Sequence, residues 1–141
     1  MRIKINFQKS FTFSVAIPVR ISDINYGGHV GNDHILSIVH EARMAFFKSH
    51  GQTEMNAGGV NLIMADSAVQ YKGESFHGDI ILVEIYADNI SSISFDLFYK
   101  LTTIREEKQF DIAYVKTGMI CFDYSTRKMV NMTETLEKIL K

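Results

Sequence analysis

Between Ser22 and His34 the hydrophobic period of this chain changes from two to that of a helix, and a polar, glycine-rich turn makes the change. Before it, Phe11, Phe13, Val15, Ile17, Val19 and Ile21 alternate with Thr12, Ser14, Ala16, Pro18, Arg20 and Ser22, which predicts a half-buried strand over 11–22. Pro18 removes one ladder donor, so that strand is expected at an edge or with a bulge. After it, Ile35, Ile38, Val39, Ala42, Ala45 and Phe46 fall on one helical stripe, and Leu36, Met44 and Phe47 widen it. Such a helix needs wrapping on several sides. Asn32 or Asp33 is expected to cap its first turn, and Gly51 to stop it in a left-handed conformation.

The remainder reads mostly as strand: Val60 to Lys72, Asp79 to Ala87, Ser91 to Arg105 and Phe110 to Asp123 are rich in Ile, Val, Phe and Tyr. Turn chemistry separates them at Lys72-Gly73-Glu74-Ser75, Asp88-Asn89, Arg105-Glu106-Glu107-Lys108 and Tyr124-Ser125-Thr126-Arg127. A short helix follows from Thr133, with Asn131 and Glu134 placed to form a capping box. One apolar helix followed by successive antiparallel strands predicts a single α+β domain over 1–141, its sheet of about five strands curled around the helix.

Charge narrows the partners. With a formal net charge of -1 at pH 7, the chain has no basic field to recruit nucleic acid nonspecifically. The single cysteine, Cys121, excludes an internal disulfide and fits a reducing compartment. No run approaches the ~18 apolar residues of a membrane span, and the N-terminus lacks the apolar core of a signal peptide. A soluble cytoplasmic protein without a membrane partner is the expectation.

The turn and helix together carry a resemblance. Ser22-Asp23-Ile24-Asn25-Tyr26-Gly27-Gly28-His29-Val30-Gly31-Asn32, followed by His40-Glu41-Ala42-Arg43, is similar to the signature of the hotdog-fold thioesterases, in the branch that resembles 4-hydroxybenzoyl-CoA thioesterase. In that branch the strand ends in Asp-x-Asp-x-x-Gly-His-Val-x-Asn and the helix carries Glu-x-Ala-Arg. Tyr71-Lys72-Gly73 with Gly78-Asp79, and Ser91-Ser92-Ile93-Ser94-Phe95, look like later stretches of the family. The resemblance implies a hotdog fold and hydrolysis of an acyl-CoA to free acid and coenzyme A. It implies an active site between two subunits of a homodimer or homotetramer, and no cofactor beyond the coenzyme A of the substrate.

Carried over residue by residue, the Asn32 amide would face the thioester oxygen, and Gly28, Val30, Gly31 and Ser92 would contact substrate. The second Asp of the motif, the usual nucleophile or general base, is Asn25 here; an amide takes no proton at neutral pH, so Asn25 would orient a water or hydrogen-bond the substrate. Asp23 points the same way as Asn25 if the strand continues; otherwise it caps the turn through the Ser22, Ile24 or Asn25 amides. His29 would polarise water or order the loop. Glu41 is the reserve carboxylate, with a salt bridge to Arg43 or a subunit contact as its other use. Met44 stands where a zinc-protease helix needs its second His, so no metal site is expected. Cys121 reads as a packed thiol. Lys72, Arg127 and Lys128 would meet coenzyme A phosphates or stay solvated. Two other readings stand beside hydrolysis. One is a noncatalytic acyl-CoA or acyl-carrier binder, favoured by Asn25. The other is an enoyl-CoA hydratase, suggested by Asp23-x-Asn25 with His29.

Overall fold

The computed structural model describes all residues, Met1–Lys141. Its elements in chain order are β1 (Phe13–Pro18), α1 (Asn32–Lys48), β2 (Asn61–Tyr71), β3 (Ile80–Asp88), β4 (Ser94–Arg105), β5 (Lys108–Asp123), β6 (Lys128–Met129) and α2 (Glu134–Leu140). The strands form one antiparallel sheet in the order β1-β3-β4-β5-β2, with β6 paired to the end of β5. β3, β4, β5 and β6 follow one another as hairpin neighbours. The chain leaves β2 at one edge and crosses to enter β3 beside β1 at the other. Pro18 sits at the last pair of β1, on an edge strand where its missing N–H costs no ladder bond.

α1 packs against one face of the sheet. Ile35, Ile38, Val39, Ala42, Phe46 and Phe47 are buried on it, and they share one core with Val83, Ile85, Leu97, Leu101 and Val115 of the sheet. Met44, by contrast, remains partly exposed. The helix ends as its glycine suggests: Gly51 adopts φ +70° and its amide donates to Lys48 O at 2.9 Å. No helix is long and apolar enough to cross a membrane.

Residues before β1 run over the opposite face. Phe7 meets Phe11, Tyr86 and Tyr114 edge-on, the Gln8 amide donates to Tyr86 Oη, and the Ile5 amide donates to Gln70 Oε1. This strap covers aromatic rings that the sheet would otherwise present to water.

Three local expectations differ from the structure. The period-two pattern continues to Ser22, but the strand stops at Pro18 and Ile21–Asp23 form a 3-10 turn. The cause is Asp23, whose carboxylate accepts the Arg20 amide at 2.9 Å and pulls the chain out of extension. α1 is capped by neither Asn32 nor Asp33: Gly31 is the N-cap and supplies no side chain. α2 is capped by Thr133, whose Oγ1 accepts the Leu136 amide at 3.1 Å and donates to Gly58 O at 2.8 Å. That long-range contact settles the boundary in place of the Asn131–Glu134 box.

Candidate active site

The turn before α1 is built by Asn25. Its Oδ1 accepts the Gly27 amide at 3.0 Å and the His29 amide at 3.4 Å, while its own amide donates to His29 O at 2.9 Å. Gly28 takes φ +86°, which a residue bearing Cβ adopts only under strain. His29 Nδ1 donates to Val30 O at 3.1 Å, since a carbonyl can only accept, and this leaves Nε2 unprotonated in the neutral ring. The ring folds over Gly27, and a Cβ there would lie 3.5 Å from Nε2.

Two longer bonds then place the helix start. The Val30 amide donates to Ser75 O at 2.8 Å, and the Gly31 amide to Asp23 O at 3.1 Å. The next two amides, of Asn32 and Asp33, donate to no protein acceptor, and no side chain caps them. Both sit at the positive end of the helix dipole. Of the two residues, Asn32 lines a cleft of about 230 Å³ and Asp33 does not. One wall comes from the turn and helix: His29, Val30, Asn32 and Ile35. The other comes from the end of β2, the segment after it and β5: Tyr71, Gly73, Glu74, Ser75 and Ile112. Tyr71 Oη bridges the walls by donating to Asn32 O at 3.2 Å.

The far wall is braced. Asp79 accepts Arg105 Nε and Nη2 at 3.0–3.1 Å, the Phe76 amide and Ser75 Oγ at 2.9 Å. Burial alone would raise the Asp79 pKa; Arg105 and the other donors outweigh it and hold the carboxyl below its ordinary range. Arg105 Nη2 also donates to Glu74 O at 2.6 Å. Gly73 is required there, because a Cβ would come within 2.7 Å of Asp111 O. Past Gly73 and Glu74 the cleft opens into a groove of about 590 Å³ between Phe76 and Phe110, with Lys72 and Arg105 on its sides.

The expected site residues divide. His29, Val30 and Asn32 line the cleft, and Gly28 and Gly31 shape the turn. Asn25 is committed to that turn. Asp23 is 1 % exposed and fully occupied, by the Arg20 amide, the Arg20 guanidinium and His34 Nδ1 at 3.3 Å. It does not point alongside Asn25, and the amide it takes is that of Arg20, not that of Ser22, Ile24 or Asn25. Burial would raise its pKa, but the Arg20 bonds and His34 lower it on balance. Glu41 lies on the other side of α1, beside Pro18, Arg20 and Ser37 in a separate hollow of about 190 Å³. Arg43 pairs instead with Glu54 at 3.0 Å and Tyr99 Oη at 3.3 Å. Ser92 lies in the turn before β4, with its carbonyl taking the Met132 amide at 2.6 Å. Because the Cys121 amide bonds Ile93 O, that turn stands roughly 30 Å along β5 from Ile112. In its own protomer it does not reach the cleft.

Cys121 is buried, and burial pushes its thiol pKa up, as for a packed residue. No cluster of three His, Cys, Asp or Glu side chains converges on a point. Lys72 borders the adjoining groove, whereas Arg127 and Lys128 lie at the turn into β6. Glu74 is the cleft residue that sequence reasoning passed over, because it reads as an ordinary turn residue.

A long helix wrapped by one antiparallel sheet, with its open N-terminus facing a cleft, defines the hotdog fold of thioesterases. The profile of the thioesterase-like superfamily matches residues 19–140, and the chain belongs to that superfamily. Among solved structures, the 1,4-dihydroxy-2-naphthoyl-CoA thioesterase from Synechocystis superposes with a TM-score of 0.79 at 18% identity, covering 91% of this chain and 94% of its own. The PA2801 protein from Pseudomonas aeruginosa gives 0.82 at 20% identity, covering 94% of this chain and 100% of its own. A hypothetical protein from Aquifex aeolicus gives 0.79 at 21% identity, over 92% and 99%. These likenesses concern the fold. No curated protein sequence matches the chain.

Proposed function

We propose that this protein hydrolyses an acyl-CoA to a free acid and coenzyme A. The observation that carries the reading is the unpartnered Asn32 amide at the start of α1, on the wall of the cleft. A thioester carbonyl seated there gains negative charge on oxygen as water adds, and fixed N–H donors stabilise that charge more than the ground state. Loss of one such donor typically costs about 10²–10³ in rate. Ile35 and Ile112 give the acyl side apolar contact. His29, tied to Val30 O, orders the loop that aims the amides.

The cleft is smaller than the roughly 300–1,000 Å³ of a complete ligand pocket. A second copy would complete it. β2 bonds only β5 and leaves its other edge open over Asn61–Tyr71, which suits antiparallel pairing with the same strand of a partner. Coenzyme A enters as part of the substrate, and the chemistry needs no further cofactor. Asn25 supports a second reading, a noncatalytic acyl-CoA binder, since the usual carboxylate position holds an amide engaged in the turn.

Thiol release from acetyl-, hexanoyl-, dodecanoyl- and benzoyl-CoA separates the two. Hydrolysis of at least one supports the enzyme; coenzyme A binding without thiol release from any supports the binder.

A further inference from the structure

We propose that Glu74 is the general base of this hydrolysis, an assignment that rests on the thioesterase reading above. Every other acid near the helix start is unsuitable. Asn25 is an amide, Asp23 is buried and saturated, and Glu41 faces a different hollow. Asp33 is 78% exposed and forms no part of the cleft wall. Glu74 is the one acidic residue lining the cleft, on the wall opposite Asn32.

Its setting suits the role. The Glu74 backbone is clamped by Arg105 Nη2 on its carbonyl and by the neighbouring Ser75, which is buried and accepts the Val30 amide. Its carboxylate forms no ion pair and no hydrogen bond, so it is available to a water. Glu74 also stands where the cleft meets the larger groove, with the reacting carbonyl on one side and room for the rest of the substrate on the other. The turn that carries it is tied down through its backbone while its side chain is unengaged.

In the step itself, a water O–H bond breaks and its proton passes to the Glu74 carboxylate. The water oxygen bonds the thioester carbon, and the carbonyl π pair moves to the oxygen held by the Asn32 amide. When that pair returns, the C–S bond breaks and sulfur leaves with its electrons. The Glu74 carboxyl gives its proton to the sulfur, yielding acid, thiol and a regenerated carboxylate.

The test measures kcat for wild type, E74Q, E74D and E41Q on whichever of the four acyl-CoAs the wild type turns over. Affinity for a non-hydrolysable thioether analogue is measured in parallel. E74Q is expected to lose about 10²–10⁴-fold in kcat with analogue binding changed less than about threefold, and E74D to recover part of the loss. A single turnover in ¹⁸O-water, with enzyme in excess, should place ¹⁸O in the released acid. Full activity of E74Q in an active wild-type background overturns the assignment and leaves the thioesterase reading standing. Loss in E41Q alone, or ¹⁶O from the enzyme in the first turnover, also overturns it. A wild type inert toward all four substrates overturns both.

Discussion

Replacing Asp23 by asparagine tests how the helix start is held. The side chain is 1 % exposed and accepts four bonds: the Arg20 amide at 2.9 Å, Arg20 Nε at 3.4 Å, Arg20 Nη2 at 3.3 Å and His34 Nδ1 at 3.3 Å. Asparagine keeps one acceptor oxygen but turns an NH₂ group toward donors on the other side. At least one charge-assisted bond is lost and one donor is left facing a donor, about 2–3 kcal/mol in total. For a domain of 141 residues that lowers Tm by about 6–12 °C.

The pH dependence has a definite sign. The folded-state pKa of Asp23 is lowered, so its ionised form contributes stability above the unfolded value, roughly 3.9. That contribution is lost as pH falls through the folded value, and the gap between wild type and D23N must close below about pH 4. Asp66, Asp79, Asp88 and Asp123 are lowered as well, so only the difference between the two proteins is informative. Thermal denaturation of both proteins from pH 3 to 8 provides it. A D23N melting temperature within about 1 °C of wild type at pH 7, or a gap that widens in acid, would refute the reasoning.

Two further substitutions probe the scaffold. Gly58 has φ +64°, and a Cβ there would come within 2.7 Å of the Leu136 amide, so G58A should cost about 2–4 kcal/mol by loosening α2; a melting temperature unchanged within about 2 °C contradicts this. The two-residue β4–β5 loop places Glu106 at φ 50° and Glu107 at φ 66°, a type I′ geometry suited to Asn-Gly. The double variant E106N/E107G should gain about 1–2 kcal/mol in denaturant unfolding, and a loss would show that the loop is held by contacts other than its own dihedrals.

How far these features were legible depends on the range of the forces involved. The wrapped helix and the strands follow from local period, because a buried face needs the same spacing in any context, and Pro18 narrows β1 to an edge or a bulge. The end of β1 does not: Val19 and Ile21 continue the alternation, yet Ile21 is 72% exposed, since a side chain–backbone bond from Asp23 outweighs one more strand pair. Partnerships across the fold were hidden as well. Arg43 could not reach Glu41 at i−2 on one helix, and found Glu54 and Tyr99 from other elements. Glu74 reaches the helix start only because β2 lies beside β5, so that the segment after β2 meets Val30 through Ser75. Nothing in the turn Lys72-Gly73-Glu74-Ser75 announces that meeting.

The most direct test is a crystal structure with a coenzyme A analogue in which a methylene replaces the thioester sulfur and the carbonyl is retained. The ketone oxygen should lie about 2.7–3.1 Å from the Asn32 amide nitrogen. A ketone bound away from the helix start, with the Asn32 and Asp33 amides left to solvent, would contradict the account.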